Sequence, residues 1–244
     1  MNYDWYNVRA FRRPQHEVPA TCASRLAQML QGLEAIHPSL SRWFAAAEKH
    51  GDESVPADPI SPAEEHLTRL FENGRFQNEG VHRPMPELGY RVSGWNGRTD
   101  DCRAHFEVEA GSYAHYRAFP NGVSLQLRKR TAANGSLVTP TVLKSSLLNI
   151  AAGWQPEWAA LEDQDYWDHI ENKETGHLPK VRSGWMIYLS APYARRIIPP
   201  TGAKSELIKG GGLLMIATEE LFSVDNPLHV AAADAIQAAL APLQ

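Results

Sequence analysis

Apolar and polar residues alternate with a period of two in the middle of the chain. The alternation covers residues 102–110 and 123–128, where every second position is apolar. Residues 90–95 are also rich in strand-forming side chains, and the turn dipeptide Asn-Gly follows them at 96–97. Three short strands joined by turns are typical of an antiparallel meander.

Three further segments favour strands because they are aromatic, β-branched or continuously apolar. They lie at residues 3–11, 185–189 and 210–218. No regular alternation of strand and helix appears along the chain, which argues against repeated parallel units. The pattern therefore predicts an α+β fold with a mainly antiparallel sheet of about six strands and helices packed on it.

Spacings of three and four between apolar residues predict helices within 23–37, 139–153 and 226–240. A short helix is expected within 39–49. The sequence Ser-Pro-Ala-Glu at 61–64 has the form of a capping box, in which Ser61 caps the helix and Pro62 occupies its first position.

Length and composition restrict the class of protein. A chain of 244 residues with 43% hydrophobic residues can hold one or two domains, and it contains no low-complexity linker or internal repeat. We therefore expect a single domain, residues 1–244. A pI near 6.2 gives no basic footprint for nucleic acid. No apolar run is long enough to cross a membrane, and the N-terminus lacks the apolar core of a signal peptide, so we expect a cytoplasmic protein.

The acidic aromatic segment 154–174 stands out in charge and ring content. It holds seven acidic residues, one lysine and three of the seven tryptophans, so it is more negative than the whole chain at −4. Acids steer basic partners and large rings anchor interfaces, which favours a docking surface. A second interpretation is open: Trp154 and Trp158, four residues apart, share the face of a helix and fill a core, while the acids are ordinary solvated charge.

Motifs for catalysis or metal binding are missing from the sequence. Its ten histidines form no metal-binding motif, and neither a nucleophile motif nor a phosphate-binding glycine motif stands in the required context. We therefore expect no catalytic residues, no metal and no cofactor. The alternative is a hydrolase or ligand-binding enzyme, whose first candidate residues are Asp100, Asp101, His105 and His115.

Several short motifs, in order along nearly the whole chain, resemble the immunity protein 52 family of bacterial polymorphic-toxin systems. The matching motifs are Phe11-Arg12, Trp95-Asn96-Gly97, Gly122-Val123 with Leu125 and Leu127, Trp154, Pro156 and Trp158-Ala159, Gly184-Trp185-Met186 with Tyr188-Leu189-Ser190, Glu220 and Phe222, and Asn226-Pro227 with His229. Individually they are common; their order and breadth carry the resemblance.

The resemblance implies a cytosolic antidote that binds and blocks a co-encoded secreted toxin without catalysis. The toxins of such families often carry a restriction-endonuclease-like nuclease domain, and some are type VI secretion effectors. A nuclease presents a basic surface to DNA, so an acidic inhibitor gains in association rate. The residues that we predict to bind the partner all lie in the acidic aromatic segment. They are Trp158, Asp163, Asp165, Tyr166, Trp167, Asp168 and Glu171.

Overall fold

A computed structural model describes residues 5–45, 58–78, 80, 83–114, 121–128, 137–173 and 181–244, except for the side chains of 169–173. Nine strands in these ranges form one antiparallel sheet in the order β2-β3-β4-β5-β1-β6-β7-β9-β8. The strands are β1 (Trp5–Arg12), β2 (Phe44–Ala45), β3 (Tyr90–Trp95), β4 (Ala104–Ala110), β5 (Asn121–Arg128), β6 (Trp158–Asp163), β7 (Met186–Leu189), β8 (Lys204–Ile208) and β9 (Gly212–Ile216).

Six α-helices accompany this sheet in the described part of the chain. They are α1 (Pro19–Ile36), α2 (Glu64–Asn73), α3 (Pro140–Trp154), α4 (Gln164–Lys173), α5 (Ala191–Ala194) and α6 (Pro227–Ala239). Helix α1 packs on α2 and α3, and α3 also contacts β1, β6 and β7. The main core lies between these helices and one face of the sheet, where Val8, Leu26, Leu125 and Leu161 are fully buried.

The opposite face of the sheet is divided into two halves. Along β3, β4 and β5 nearly every second residue is partly or fully exposed, so only the side facing α1–α3 is buried throughout. Strands β6 and β9 are instead buried at every position. We call the partly exposed side of β1, β3, β4 and β5 the open face. Its side chains include Trp5, Arg9, Ser93, Trp95, His105 and Ser124.

The covered half carries a second apolar cluster on the side away from α1–α3. Ile187 and Leu189 of β7 and Met215 of β9 are fully buried there, together with Ile236 of α6. Both faces of these strands are therefore removed from water. This explains why 186–189 and 212–216 are continuously apolar, whereas β3 to β5 alternate.

The α+β class and the antiparallel sheet are confirmed, but the sheet has nine strands rather than about six. The additional strands are β2, β6 and β8. The helix predicted within 39–49 is wrong for the residues that the structure describes. A 3₁₀ helix, Pro38–Leu40, and the short strand β2 occupy this region up to residue 45, and 46–49 lie outside the described residues.

The predicted capping box is also wrong in detail. Helix α2 begins at Glu64, with Ala63 at the N-cap position and no side-chain cap. The Ser61 hydroxyl instead accepts a hydrogen bond from the Ala63 amide, 3.3 Å away. Local sequence placed this helix to within three residues but did not fix its first residue.

None of the helices in the described part of the chain combines the length and the apolar character needed to cross a membrane.

Candidate partner-binding surface

The acidic aromatic segment forms a strand followed by a helix. Helix α3 ends at Trp154, and residues 158–163 form β6, which pairs with β1 on one side and β7 on the other. Asp163 then closes the strand and caps α4, since its Oδ1 accepts a hydrogen bond from the Asp165 amide at 2.9 Å. Trp154 and Trp158 therefore do not share a helix.

Three of the seven predicted partner-binding residues lie in the interior of the chain. Trp158 is 7% exposed and stacks on Phe11, with 4.3 Å between ring centroids. Tyr166 is 1% exposed, and its hydroxyl donates to Asp234 at 3.0 Å. Asp163 is fully buried. In this arrangement the three residues hold β6 and α4 in place rather than forming accessible surface.

Three other predicted residues are partly exposed on α4. Asp168 accepts a hydrogen bond from the Gln164 side chain at 3.1 Å, and Asp165 stands in the first turn. Trp167 lies between them in sequence and is also partly exposed. We call Asp165, Trp167 and Asp168 the acidic ridge. The seventh predicted residue, Glu171, has its side chain outside the described residues.

Two arginines outside the segment hold the ring of Trp167. The guanidinium of Arg182 lies 3.9 Å from the ring centroid, and that of Arg9 lies 5.6 Å away. Both cation–π contacts restrict the ring before any partner arrives. Sequence alone did not indicate these arginines, because only the pairing of β1 with β6 brings Arg9 next to this segment. The outward position of Arg9 in the alternation of β1 was the available sequence signal.

Glu162 is a buried carboxyl group of this region whose pKa is shifted. It is 2% exposed, its Oε2 lies 3.5 Å from Nε of Arg9, and its Oε1 has no hydrogen-bond donor among the described residues. Burial raises the pKa of Glu162 to about 7, although Arg9 and Arg182 act in the opposite direction. Near neutral pH this carboxyl group is therefore partly protonated.

Not every acid of the segment contributes exposed negative charge. Glu157 is paired with Arg13 through a hydrogen bond of 2.6 Å to its Nε, and Glu162 is buried beside Arg9. Apart from the paired Glu157, the partly exposed acids of this segment that the structure describes are therefore those of the acidic ridge. Within the segment, these are the acids that attract a basic partner.

The residues of the alternative enzymatic hypothesis do not form a catalytic arrangement in the described chain. Asp100 is engaged by Arg98, and this contact lowers the pKa of the carboxyl group. His105 accepts a hydrogen bond from Nε of Arg103 at 2.8 Å and lies between the rings of Trp5 and Trp95. His115 lies outside the described residues. No group of three metal-ligating side chains occurs among the residues that were described.

These features define a class of protein in which an antiparallel sheet, backed by helices, presents a polar and aromatic surface. The chain belongs to the Immunity protein 52 family, whose family model matches residues 4–243. Among solved structures it is similar to the Pseudomonas aeruginosa T6SS protein PA0821, with a TM-score of 0.53 and 12% sequence identity. That match covers 95% of this chain and 73% of the other, and at this identity it supports the fold alone. The same sequence finds no significant match among curated proteins.

Proposed function

We propose that this chain is an immunity protein that binds a cognate secreted toxin and neutralises it by protein–protein interaction, without catalysis of its own. The observation that carries the proposal is the family match over 4–243, nearly the full length. We further propose that residues 1–244 act as one domain, since strands from both halves of the sequence share one sheet. We propose the cytoplasm as the compartment in which it acts.

The proposed point of first contact is the acidic ridge. Its two carboxylates attract a basic surface, and the half-buried indole of Trp167 supplies an apolar anchor that Arg9 and Arg182 already orient. Glu171, four residues beyond Trp167, is proposed to extend the same surface. Trp158, Asp163 and Tyr166 support this contact indirectly by fixing β6 and α4.

The proposed partner is a nuclease toxin, of which a restriction-endonuclease-like enzyme is one example. Such an enzyme must present cations to the phosphate backbone of DNA, so a surface that competes for those cations inhibits it. Two modes of inhibition agree with this idea: the immunity protein covers the active site, or it blocks an assembly that the toxin requires.

The test of the proposed function uses the product of the adjacent toxin gene. Co-expression of this chain should restore the growth of cells that produce the toxin, and a catalytically inactive toxin should co-purify with it. Raising the salt concentration should lower the association rate more than it changes the dissociation rate. Absence of a complex at micromolar concentrations of both proteins would contradict the proposal.

A further inference from the structure

The open face orders its aromatic side chains before any partner binds. Strand register aligns Trp95 with His105, and His105 with Gln126 of β5. The rings of Trp95 and His105 are stacked with centroids 6.4 Å apart, and Trp5 meets His105 edge-on at 5.6 Å. Arg103 further fixes His105 by donating a hydrogen bond of 2.8 Å. Ordered rings of this kind lose little conformational entropy on binding.

The next row across the sheet is polar and alternates small serines with longer charged side chains. Ser93 pairs with Glu107, Glu107 with Ser124, and Ser124 with Arg9 of β1. All four side chains point to the open face and are partly exposed. Because serine is small, a partner can approach the sheet closely here and reach hydroxyl groups beside the row of rings. Aromatic rings next to adaptable hydroxyls are also found together in the antigen-binding loops of antibodies.

Charge decides between a protein and a nucleic acid as the occupant. Among the described residues, the strands of the open face carry three arginines (Arg9, Arg91 and Arg128) and two glutamates (Glu107 and Glu109) on this side, and the buried Glu162 of β6 lies beside Arg9. Arg91 and Glu107 neutralise each other at 2.7 Å, and Glu162, 3.5 Å from Arg9, offsets that arginine in part. A surface with so little excess positive charge does not match a phosphate backbone. It matches a protein surface of low net charge that offers hydrogen-bonding groups.

The open face is continuous with the acidic ridge. Arg9 pairs with Ser124 in the polar row and at the same time lies 5.6 Å from the ring centroid of Trp167. We propose that the open face binds a surface patch of low net charge on the cognate toxin and forms the main contact. The acidic ridge then binds a basic region at the edge of that patch. This inference rests on the proposed function and adds the main contact area to it.

The test places bulk in the middle of the open face. Ser124→Arg should weaken binding to the inactivated product of the adjacent toxin gene by roughly 100-fold, as loss of a well-packed interface centre does. Ser24→Arg is the matched control: Ser24 is exposed on α1, on the other side of the sheet, and this variant should change the Kd less than about twofold.

Charge and folding are separated by two additional variants. Ser124→Glu should also weaken binding, because the contact is steric; a loss with arginine but not with glutamate indicates electrostatic repulsion only and overturns the inference. If Ser124→Arg lowers the melting temperature, Ser93→Arg, two strands away in the same row, provides the same test.

The outcomes distinguish this inference from the proposed function. If the wild-type chain binds the toxin and the Ser124 and Ser93 variants bind it equally well, the open face does not bind the toxin. The proposed function still stands in that case. If the wild-type chain does not bind, the proposed function fails and this inference fails with it. Two other outcomes would assign the open face to another occupant. One is a wild-type dimer, seen by analytical ultracentrifugation, that Ser124→Arg dissociates. The other is DNA binding by the wild-type chain that Ser124→Arg abolishes.

Discussion

The two halves of the sheet differ in how their second face is packed. In the covered half, β7 and β9 are closed on one side by the main core and on the other by the cluster that includes α6. In the open half, β3 to β5 bury one side and leave the other partly exposed. Continuous apolar sequence therefore marks the part that is packed for stability, and alternating sequence marks the part available for contact.

The position of α4 at the boundary between the halves extends this comparison. This helix follows the buried strand β6 and contacts both β6 and β1. Tyr166 enters the main core, while its neighbour Trp167 reaches the arginines of the boundary. A surface that must keep its shape gains from being anchored in a core at one end.

The largest expected difference between the halves is in stability. Ile187→Ala in the covered half should lower the free energy of unfolding by about 2–5 kcal/mol, because it opens a cavity in a cluster packed on both sides. Ser124→Ala in the open half should change it by less than about 0.5 kcal/mol. Urea unfolding measures both values, and equal losses would show that the two halves are not packed differently.

A pH-dependent effect is expected where the halves meet. The ionised form of Glu162 is disfavoured in the folded chain, so its pKa is raised from the ordinary 4.5 to about 7. The folded state therefore holds this proton more tightly than the unfolded state, and stability falls as pH rises from about 4.5 to about 7. The contribution of this group corresponds to about 3 kcal/mol over that interval.

The measurement compares wild type with Glu162→Gln at pH 5 and pH 8 by urea unfolding. Glutamine cannot ionise, so the variant should gain stability relative to wild type on going to pH 8. Glu34→Gln, at an exposed position of α1, provides the control and should show no such gain. If the difference between Glu162→Gln and wild type is the same at both pH values, the buried carboxyl group does not titrate in this range.

The strands of the open half were largely predictable from sequence. Strand β6 and the start of α4, at the boundary between the halves, were not. Alternation found β4 and β5 because one buried face leaves a period-two pattern, and strand-forming residues before the Asn-Gly turn found β3. Strand β6 was missed because it ends in Glu162 and Asp163, and acids normally indicate exposed chain. Their burial depends on Arg9, Arg182 and the cap of α4, which are contacts that local sequence does not reveal.

The candidate surface was predictable only in part, for a related reason. Tyr166 and Trp167 are adjacent and chemically alike, but successive helical residues point about 100° apart. One ring therefore enters the core and the other stays at the surface. Composition singled out this segment, but composition does not determine how α4 is rotated about its own axis. Contacts of Tyr166 with Phe222 and Asp234 set that rotation.

The third prediction concerns toxin affinity at the boundary. Trp167→Ala should weaken toxin binding about 10- to 100-fold, since an oriented aromatic anchor is a typical hot spot. The free energy of unfolding should fall by only about 1 kcal/mol, because the lost contacts are cation–π interactions at a partly exposed ring. Isothermal titration calorimetry and urea unfolding measure the two effects.

The control for this prediction is Tyr113→Ala. Tyr113 is an aromatic residue that is 41% exposed and lies outside α4 and the open face. Removing its ring should leave the affinity for the toxin unchanged. If Trp167→Ala instead unfolds the chain, the indole is a core residue and the acidic ridge has no anchor. If both variants bind like wild type, Trp167 does not contact the toxin.

The smallest expected effect is on association rate. The double variant Asp165→Lys with Asp168→Lys should slow capture of a basic toxin by several-fold to about tenfold at low salt, with little change in dissociation rate, because partly exposed charges act mainly by steering. Asp163 is excluded from this variant, since it is buried and caps α4.

Glu34→Lys with Glu72→Lys makes the same change in net charge on α1 and α2, behind the sheet, and therefore isolates the effect of position. Surface plasmon resonance at two salt concentrations compares the two double variants. A local role for the ridge requires that its variant be the slower at low salt and that the difference shrink at high salt. If both double variants slow association equally, the association rate depends on the total charge of the chain and not on the acidic ridge. The contact on the open face would then have to supply the specificity alone.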